Sequence, residues 1–222
     1  TTSSHEPPPA MACAQSMARE TAFLTRIETE GPAAVAEAEI AAAEAAAGAG
    51  TREDLFSGLR VAKRRAALAI ALGDIAGAMS LDEVTGALTR LADAAVSSAL
   101  AFFLRAEAAA GRFRPADPAN PAEGSGVIVL AMGKCGAFEL NYSSDIDFVV
   151  FFDAERMRIA ESVQAVPFLV RVVQNVVKAL QERTGDGYVF RTDLRLRPDA
   201  GATQIAMSTD TAALYYEGMG QN

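Results

Sequence analysis

Two aspartates open an apolar run near the middle of the chain, in the stretch NYSSDIDFVVFF at residues 141–152. Alternate side chains of an extended strand share a face, so Asp145 and Asp147 project together, about 6.6 Å apart along the chain. Ile146 and Phe148 then point into the opposite layer. Two carboxylates this close cost free energy unless they are protonated, separated or bound to a cation. A divalent metal ion would compensate both, whereas acids that cap the strand in solvent are the common alternative for an isolated D-x-D pattern.

A third aspartate lies among arginines in the stretch YVFRTDLRLRPD, which begins at Tyr188. Its alternation places four charged residues on one face: Arg191, Asp193, Arg195 and Arg197. If this strand lies beside the strand of Asp145, Asp193 supplies a third carboxylate to the same metal centre. The arginines would then meet phosphate oxygens with bidentate geometry. An exposed face on which Asp and Arg pair with each other is the alternative interpretation.

A glycine-containing turn follows the apolar run VIVLAM, in the stretch MGKCGAFEL. Gly133 and Gly136 allow close approach of the backbone, and N–H groups at the start of a short helix would face an anion. Lys134 adds a positive charge there, although the pattern is not a Walker A loop. A phosphate-binding turn, two paired carboxylates and a third acid are together the equipment of two-metal nucleotidyl transfer.

The elements that must position these residues divide the chain into two halves. Ala, Leu, Glu and Arg dominate the first half, which predicts a helical region at residues 11–113 after a disordered tail at residues 1–10. Thr51 and Ser80 are candidate N-caps, and Glu83 completes the pattern of a capping box. The alanine-rich segment AEAEIAAAEAAAGAG is predicted to be helical as well.

The hydrophobic period changes after a Pro-rich linker at residues 114–126. Three strands are predicted: VIVLAM at residues 127–132, DIDFVVFFD at residues 145–153 and GYVFRTDLRLR at residues 187–197. One long helix is predicted at residues 158–183, which Pro167 could kink. The predicted fold class is therefore α+β, with the helical region followed by a domain at residues 127–222 whose mixed sheet is flanked by helices.

Composition limits the classes of partner. The 222 residues are half hydrophobic and carry a net charge of -8, which predicts a globular protein that does not bind nucleic acid. Two distant cysteines and the absence of a leader or of a run of about 20 apolar residues predict a cytoplasmic protein without membrane contact. The single histidine, His5, lies in the Pro-rich start. Histidine-ligated metal sites and Ser-His-Asp triads are therefore excluded from the ordered body.

The stretches GKCGAFELNYSSDIDFVVFFD and GDGYVFRTDLRLRPD closely resemble the catalytic signature of the bacterial glutamine synthetase adenylyltransferases, also called glutamate-ammonia ligase adenylyltransferases. The resemblance covers about residues 126–218, and the helices before it are similar to the segment that precedes the catalytic domain in this family. Two departures are Cys135, where the family usually has Leu, and the pair Ala137-Phe138. We interpret Cys135 as a buried apolar residue rather than a reactive thiol.

This resemblance implies a nucleotidyltransferase domain of the DNA polymerase beta type. Members of the family carry two such domains: the amino-terminal one removes AMP from a tyrosine of glutamine synthetase by phosphorolysis, and the carboxy-terminal one attaches it from ATP. Asn141 and Ser143 indicate the amino-terminal, deadenylylating copy, because the other copy tends to read ELGYGSDLD. The family sequence continues past YYEGMGQN, so the chain is expected to be a fragment whose domain is truncated at its carboxy-terminal end.

Together, the motifs and the resemblance give a specific hypothesis. Asp145, Asp147 and Asp193 are the expected catalytic acids and would hold one or two Mg²⁺ or Mn²⁺ ions. The expected nucleotide- and phosphate-binding residues are Gly133, Lys134, Ser143, Ser144, Arg195 and Arg197, although both serines could be plain turn residues. ATP, ADP and inorganic phosphate are the expected substrates or products.

The expected partners are glutamine synthetase and a nitrogen-signalling protein of the PII type. Two alternatives stay open at this point. One is a nucleotidyltransferase of the same fold that acts on another acceptor. The other is a non-catalytic interaction module whose helical half docks on a partner.

Overall fold

The computed structural model describes residues 21–196 and 204–219. Its helices are α1 (21–30), α2 (Pro32–Ala45), α3 (Arg52–Ile75), α4 (Leu81–Ala109), α5 (Gly133–Gly136), α6 (Ala165–Gln181) and α7 (Thr209–Met219), with a short 3-10 helix at Ala46–Gly48. Its strands are β1 (Val127–Ala131), β2 (Ile146–Phe152), β3 (Thr192–Asp193) and β4 (Ala206–Ser208). The predicted α+β class is confirmed. Arg197 and the predicted tail at residues 1–10 lie outside the described residues.

The two long helices begin at the residues that the sequence predicts. The Thr51 hydroxyl accepts a hydrogen bond from the backbone N–H of Asp54 at 3.1 Å. Ser80 and Glu83 form a full capping box: the Ser80 hydroxyl accepts from the Glu83 N–H at 3.3 Å, and the Glu83 carboxylate accepts from the Ser80 N–H at 2.7 Å. Each cap satisfies an N–H that the helix cannot, which stabilises a helix by about 1 kcal/mol.

The alanine-rich segment is helical because its small apolar face packs against two longer helices. α2 contacts both α3 and α4, and it buries Val35 and Ile40 among its alanines. The Ser98 hydroxyl of α4 donates to the carbonyl of Ala43 at 2.7 Å, which ties α4 to the last turn of α2. Tertiary packing therefore stabilises a helix whose own hydrophobic area is small.

The sheet is mixed, as predicted, and β2 is its central strand. β1 pairs with β2 in antiparallel register, from Val127 opposite Phe152 to Ala131 opposite Phe148. β3 and β4 both pair with β2 in parallel orientation. They lie one after the other along the edge of β2 that β1 leaves free, because a strand has only two edges.

The predicted third strand at residues 187–197 is too long, since within residues 187–196, the part that the structure describes, the strand β3 comprises only Thr192–Asp193. The N–H groups of Val189 and Phe190 instead donate to the carbonyl of Leu180, at 2.9 and 3.2 Å, and close the turn that follows α6. The sequence does alternate, but the backbone N–H groups of Val189 and Phe190 are bonded to the end of α6 and cannot pair with a neighbouring strand.

The predicted helix at residues 158–183 is also too long at its start. Ile159 forms an isolated bridge with Phe113, and α6 begins only at Ala165. Pro167 therefore stands in the first turn of α6, where its missing N–H has no helical partner to lose. It belongs to the start of the helix and does not interrupt it.

The two faces of β2 pack in different layers. Ile146, Phe148, Val150 and Phe152 belong to the main hydrophobic core, which also contains residues of α1 to α4 and of α6. Val149 and Phe151 face the other way and form a second cluster with Met207 of β4 and Ala212 of α7. By alternation, Asp147 shares the face of Val149, away from the main core. The helical region and the sheet thus share one continuous core.

Among the described residues, α4 is the one helix long and apolar enough to cross a membrane by length and composition. Within its most apolar window, 72% is buried inside the protein, by packing against α2, α3 and α6. The length and apolar character of α4 are therefore accounted for by its position in the core.

Candidate active site

The parallel pairing of β2 with β3 brings together two acids that are distant in sequence. Ile146 lies opposite Thr192, and Asp147 lies opposite Asp193. The N–H of Ile146 donates to the carbonyl of Arg191 at 2.9 Å, which fixes this register. Because residues directly opposite each other share a face, the carboxylates of Asp147 and Asp193 project from the same face of neighbouring strands.

Asp145, the residue before β2, is paired with Arg191. The Arg191 Nε lies 2.5 Å from Asp145 Oδ1, and the Arg191 Nη2 donates to the carbonyl of Ser143 at 2.7 Å. The hydrogen bond to Asp145, followed by the charge of Asp145, raises the pKa of Arg191. Arg191 is the residue directly before β3, and its side chain thus ties β3 to the loop before β2. Arg191 is a further residue of the site that was not predicted, although the alternation of the sequence, which places it on the charged face, was a signal for it.

Asp193 is paired with Arg195 in a bidentate arrangement. The Arg195 backbone N–H donates to Asp193 Oδ1 at 2.8 Å, and Nη2 lies 2.5 Å from Oδ2. The Arg195 side chain is 83% exposed and that of Asp193 only 17%. Asp–Arg pairing along this face, the alternative interpretation of the sequence, therefore coexists with the alignment of Asp147 and Asp193. An arginine this exposed can leave its partner at small cost in free energy.

Asp147 lies against the glycine turn that follows β1. Gly133 has a φ of +52°, and a Cβ atom there would lie 2.8 Å from Asp147 Oδ2. A Cβ on Gly136 would lie 2.5 Å from the carbonyl oxygen of Ala131. The close backbone approach expected at both glycines is therefore found, and a side chain at Gly133 would displace the Asp147 carboxylate.

The charge of Asp147 is disfavoured in this site. Burial raises the pKa of Asp147, the nearby charges of Asp193 and Asp145 raise it further, and Arg195 lowers it only in part. The carboxylates of Asp193 and Asp145 are thus close enough to Asp147 to disfavour its charge. An added cation would relieve this repulsion.

The carboxylates suit a divalent metal ion in residue type and in register. Carboxylate oxygens are the ligands that Mg²⁺ and Mn²⁺ prefer. In residues 21–196 and 204–219, however, no three His, Cys, Asp or Glu side chains already converge to hold an ion. Asp145 and Asp193 instead face Arg191 and Arg195. The residues therefore fit the metal provided that these two carboxylates turn from their arginines towards Asp147.

The other expected binding residues surround these acids. Lys134 is exposed on the four-residue helix α5, next to Gly133. The Ser144 hydroxyl donates to the Asn141 side-chain oxygen at 2.7 Å, so Ser144 closes a turn, which was the alternative considered for it. Ser143 is exposed, and its carbonyl accepts from Arg191. Phosphate binding by these residues stays a prediction.

A pocket of about 460 Å³ adjoins Asp147 between α4 and β1. Most of its lining is apolar, including Val129 and Phe148, and Asp93 of α4 adds a carboxylate. Cys135 also lines the pocket but is only 5% exposed, and burial, followed by the charges of Asp93 and Asp147, raises its pKa to about 11. The expected burial of Cys135 is confirmed. The volume lies within the range of small-molecule sites.

The family model of glutamate-ammonia ligase adenylyltransferase matches residues 10–222. The chain belongs to this family. The resemblance seen in the sequence is thereby confirmed, and the matched range contains every candidate residue of the site. The predicted division at residues 114–126 stays a prediction, because the family match runs through it.

Several relatives in the glutamate-ammonia ligase adenylyltransferase family carry the name bifunctional glutamine synthetase adenylyltransferase/adenylyl-removing enzyme. The protein of Xanthobacter autotrophicus is 52% identical over 194 residues, which are 87% of this chain and 20% of the relative. A Bradyrhizobium protein is 56% identical over 168 residues, covering 76% of this chain and 17% of the relative. A Rhodopseudomonas palustris protein is 51% identical over 175 residues, covering 79% and 18%. The chain thus spans about a fifth of the length of these relatives.

Proposed function

We propose that this chain is the adenylyl-removing nucleotidyltransferase domain of a glutamine synthetase adenylyltransferase, with a fold of the DNA polymerase beta type. The observation that carries the proposal is the register of Asp147 opposite Asp193 on parallel strands, with Asp145 immediately before β2. Membership of the family supports the nucleotidyl chemistry. Asn141 and Ser143 favour the removing copy over the attaching copy. The protein would act in the cytoplasm.

The proposed reaction is a phosphorolysis. An oxygen of inorganic phosphate attacks the phosphorus that links AMP to a tyrosine of glutamine synthetase, and the bond from that phosphorus to the tyrosine oxygen breaks. The products are ADP and the free tyrosine, whose oxygen takes up a proton. The longer parent protein would also attach AMP from ATP through its second copy, and a PII-type signalling protein would regulate the balance.

The arginines of the site are positioned to exchange partners during this reaction. Arg191 and Arg195 hold Asp145 and Asp193 through charge-assisted hydrogen bonds and are themselves exposed. Phosphate oxygens offer a guanidinium the same bidentate geometry as a carboxylate. When substrate phosphates enter, these arginines would turn to them and free the two carboxylates. Lys134 and Arg197 would add positive charge at the phosphate.

The released carboxylates would complete the metal site. Asp145, Asp147 and Asp193 would hold one or two Mg²⁺ or Mn²⁺ ions, and the metal, when bound, neutralises charge on the phosphoryl oxygens and on the leaving group. A phosphate at the Gly133 turn would lie beside the Asp147 carboxylate, because a Cβ atom on Gly133 would lie only 2.8 Å from Asp147 Oδ2. The charge of Asp147 therefore has to be neutralised before an anion can bind at this turn.

The test is phosphate-dependent release of ADP from adenylylated glutamine synthetase. We expect Asp147→Asn to lower the rate by at least about 100-fold, since a neutral amide replaces a carboxylate that is proposed to hold the metal ion. The control is Asp153→Asn. Asp153 lies just beyond the far end of β2, where its side chain accepts from the N–H of Glu155. Full activity of Asp147→Asn would contradict the proposed site.

A non-catalytic interaction role is the second candidate function, and one observation favours it. The pairing of Asp145 and Asp193 with arginines is also what a site without metal would show. A domain that binds Mn²⁺ is stabilised by it, whereas an interaction module without a metal site is not. Thermal unfolding with and without Mn²⁺ separates the two.

A further inference from the structure

The loop that carries Asp145 is tied to the helical region at two places. The hydroxyl of Tyr142 donates to Asp74 Oδ2 at 3.1 Å, and Asp74 is the next-to-last residue of α3. The N–H of Leu140 donates to the hydroxyl of Thr89 in α4 at 3.4 Å, and Leu140 is fully buried. The segment from Leu140 to β2 is therefore held by α3 and α4 in addition to Arg191, the residue before β3.

Asp74 and Tyr142 each occupy a position that their local surroundings do not favour. An acid in the last turn of a helix is unfavourable beside the negative end of the helix dipole. Tyr142 is 46% exposed, although its ring is large and apolar. Partial burial and then the hydrogen bond to Asp74 raise the pKa of Tyr142 to about 12, so the hydroxyl keeps its proton at neutral pH. The hydrogen bond between the Tyr142 hydroxyl and the Asp74 carboxylate accounts for both positions.

α3 also holds the turn that leads into β3. Arg60 is 1% exposed; its Nε donates to the carbonyl of Gly187 at 2.9 Å, and its Nη2 donates to the carbonyl of Glu182. The hydroxyl of Ser57 donates to Asp186 Oδ2 at 3.3 Å. The buried guanidinium thus bonds both ends of the turn after α6. One helix therefore contacts both chain segments that carry the site aspartates.

From these contacts we propose that α3 belongs to the catalytic unit, and that Asp74 and Tyr142 are positioning residues for Asp145 and Asp147. The catalytic part of this inference rests on the function proposed above. Asp145 lies three residues after Tyr142, so release of Tyr142 frees the short turn that aims its carboxylate. A misplacement of about 1 Å at reacting groups can lower a rate up to about 100-fold.

The first test measures the loop without any assay of activity. Amide hydrogen exchange of residues 141–145 is compared between the wild type, Tyr142→Phe, Asp74→Ala and Asp74→Asn. We expect exchange to be about fivefold faster in Tyr142→Phe and Asp74→Ala, which corresponds to the loss of one exposed hydrogen bond. Asp74→Asn should exchange like the wild type because its amide oxygen still accepts from Tyr142. The control is Tyr216→Phe, since Tyr216 is 51% exposed on α7. Unchanged exchange in Tyr142→Phe would overturn the positioning role.

The second test is the kinetics of ADP release by the same variants. Tyr142→Phe and Asp74→Ala should each lower kcat about 3- to 10-fold, with KM for phosphate within about twofold of the wild type. The double variant should lose no more than either single one, because both remove the same bond. Faster loop exchange with unchanged kcat would overturn the catalytic part. Absence of ADP release in the wild type would contradict the proposed function, while loop exchange would still decide whether Asp74 positions the loop.

Discussion

Asp147 carries an unfavourable charge that the protein alone relieves only in part. Burial raises its pKa, and the charges of Asp193 and Asp145 act in the same direction. Arg195, the cation that lowers this pKa, is bonded to Asp193 rather than to Asp147. A site that tolerates such a carboxylate is typical of function, since folding gains nothing from the charge. The native state without metal should therefore be more stable when this charge is removed.

We accordingly expect Asp147→Asn to raise Tm in the presence of a chelator at neutral pH, by about 1–3 °C. Saturating Mn²⁺ should reverse the order, because it stabilises the wild type by about 5–10 °C at a hundredfold excess over Kd and Asp147→Asn much less. Differential scanning calorimetry with and without Mn²⁺ measures both effects.

The control for this experiment is Asp93→Asn. Desolvation raises the pKa of Asp93 as well, and Asp93 lines the pocket beside Asp147 without belonging to the proposed metal ligands. Asp93→Asn should also raise Tm in the presence of a chelator, but its Tm should rise on addition of Mn²⁺ as much as that of the wild type. Equal stabilisation of the wild type and Asp147→Asn by Mn²⁺ would contradict the metal site.

At the scale of elements, Glu107 of α4 bonds Arg171 of α6 and Arg112 in the turn that follows α4. Its side chain is 8% exposed; Oε2 lies 2.5 Å from Arg112 Nε and 3.2 Å from Arg171 Nη2. Burial alone would raise the pKa of Glu107, but hydrogen bonds from Arg112 and then Arg171 outweigh burial and lower it. The folded state therefore favours the charged form of this carboxylate.

Glu107→Gln should accordingly destabilise the protein by about 1–2 kcal/mol at neutral pH, since both arginines are half-exposed and solvent screens part of the interaction. The ordinary pKa of the group is 4.5 and the folded pKa is lower. Above pH 4.5 the full difference in the free energy of unfolding between the wild type and Glu107→Gln is present. This difference disappears as the pH falls through the folded pKa. Urea denaturation at neutral and acidic pH tests this, with the exposed Glu155→Gln as the control. A pH-independent difference would contradict the account.

Local signals allowed the sequence to predict most elements. Thr51 and Ser80 mark the starts of α3 and α4 because capping depends on residues three positions apart. The run after Asp145 predicted β2 because five successive apolar residues need burial on both faces. β3 was predicted too long because the N–H groups of Val189 and Phe190 bond to the carbonyl of Leu180 in α6. The alternation of the sequence does not reveal this competition.

Within the site, local signals could likewise be predicted from the sequence, whereas contacts between distant residues could not. Asp145 and Asp147 could be grouped from spacing, and Asp193 could be added only on the assumption that its strand is adjacent. The bond between Asp74 and Tyr142 joins residues 68 positions apart, and the bond from Arg60 to Gly187 joins residues 127 apart. No periodicity of the sequence carries such contacts, because they depend on how α3 lies against the sheet.

At the scale of the whole molecule, the helical region and the sheet do not have separate interiors. The main core runs through α1 to α4, α6 and β2, and Val127 and Val129 of β1 pack against it. α4 is its centre, since it packs against α2, α3 and α6, and its Leu91 and Leu104 are almost fully buried. Elements that bury one another in this way lose their core together when any of them unfolds.

We therefore expect the two halves to unfold in one transition on denaturation. The four tyrosines are Tyr142, Tyr188, Tyr215 and Tyr216, and the chain has no tryptophan, so intrinsic fluorescence arises from side chains after the linker, of which Tyr142 also contacts Asp74 of α3. Far-UV circular dichroism reports mainly the helices of the first half. The two probes should give the same midpoint, and Leu104→Ala should lower both midpoints together, with a loss of about 2–5 kcal/mol. Exposed Leu81→Ala is the control, because Leu81 is 75% exposed at the start of the same helix. Separate midpoints, or a shift of the circular dichroism transition alone in Leu104→Ala, would show that the helical region has an independent core.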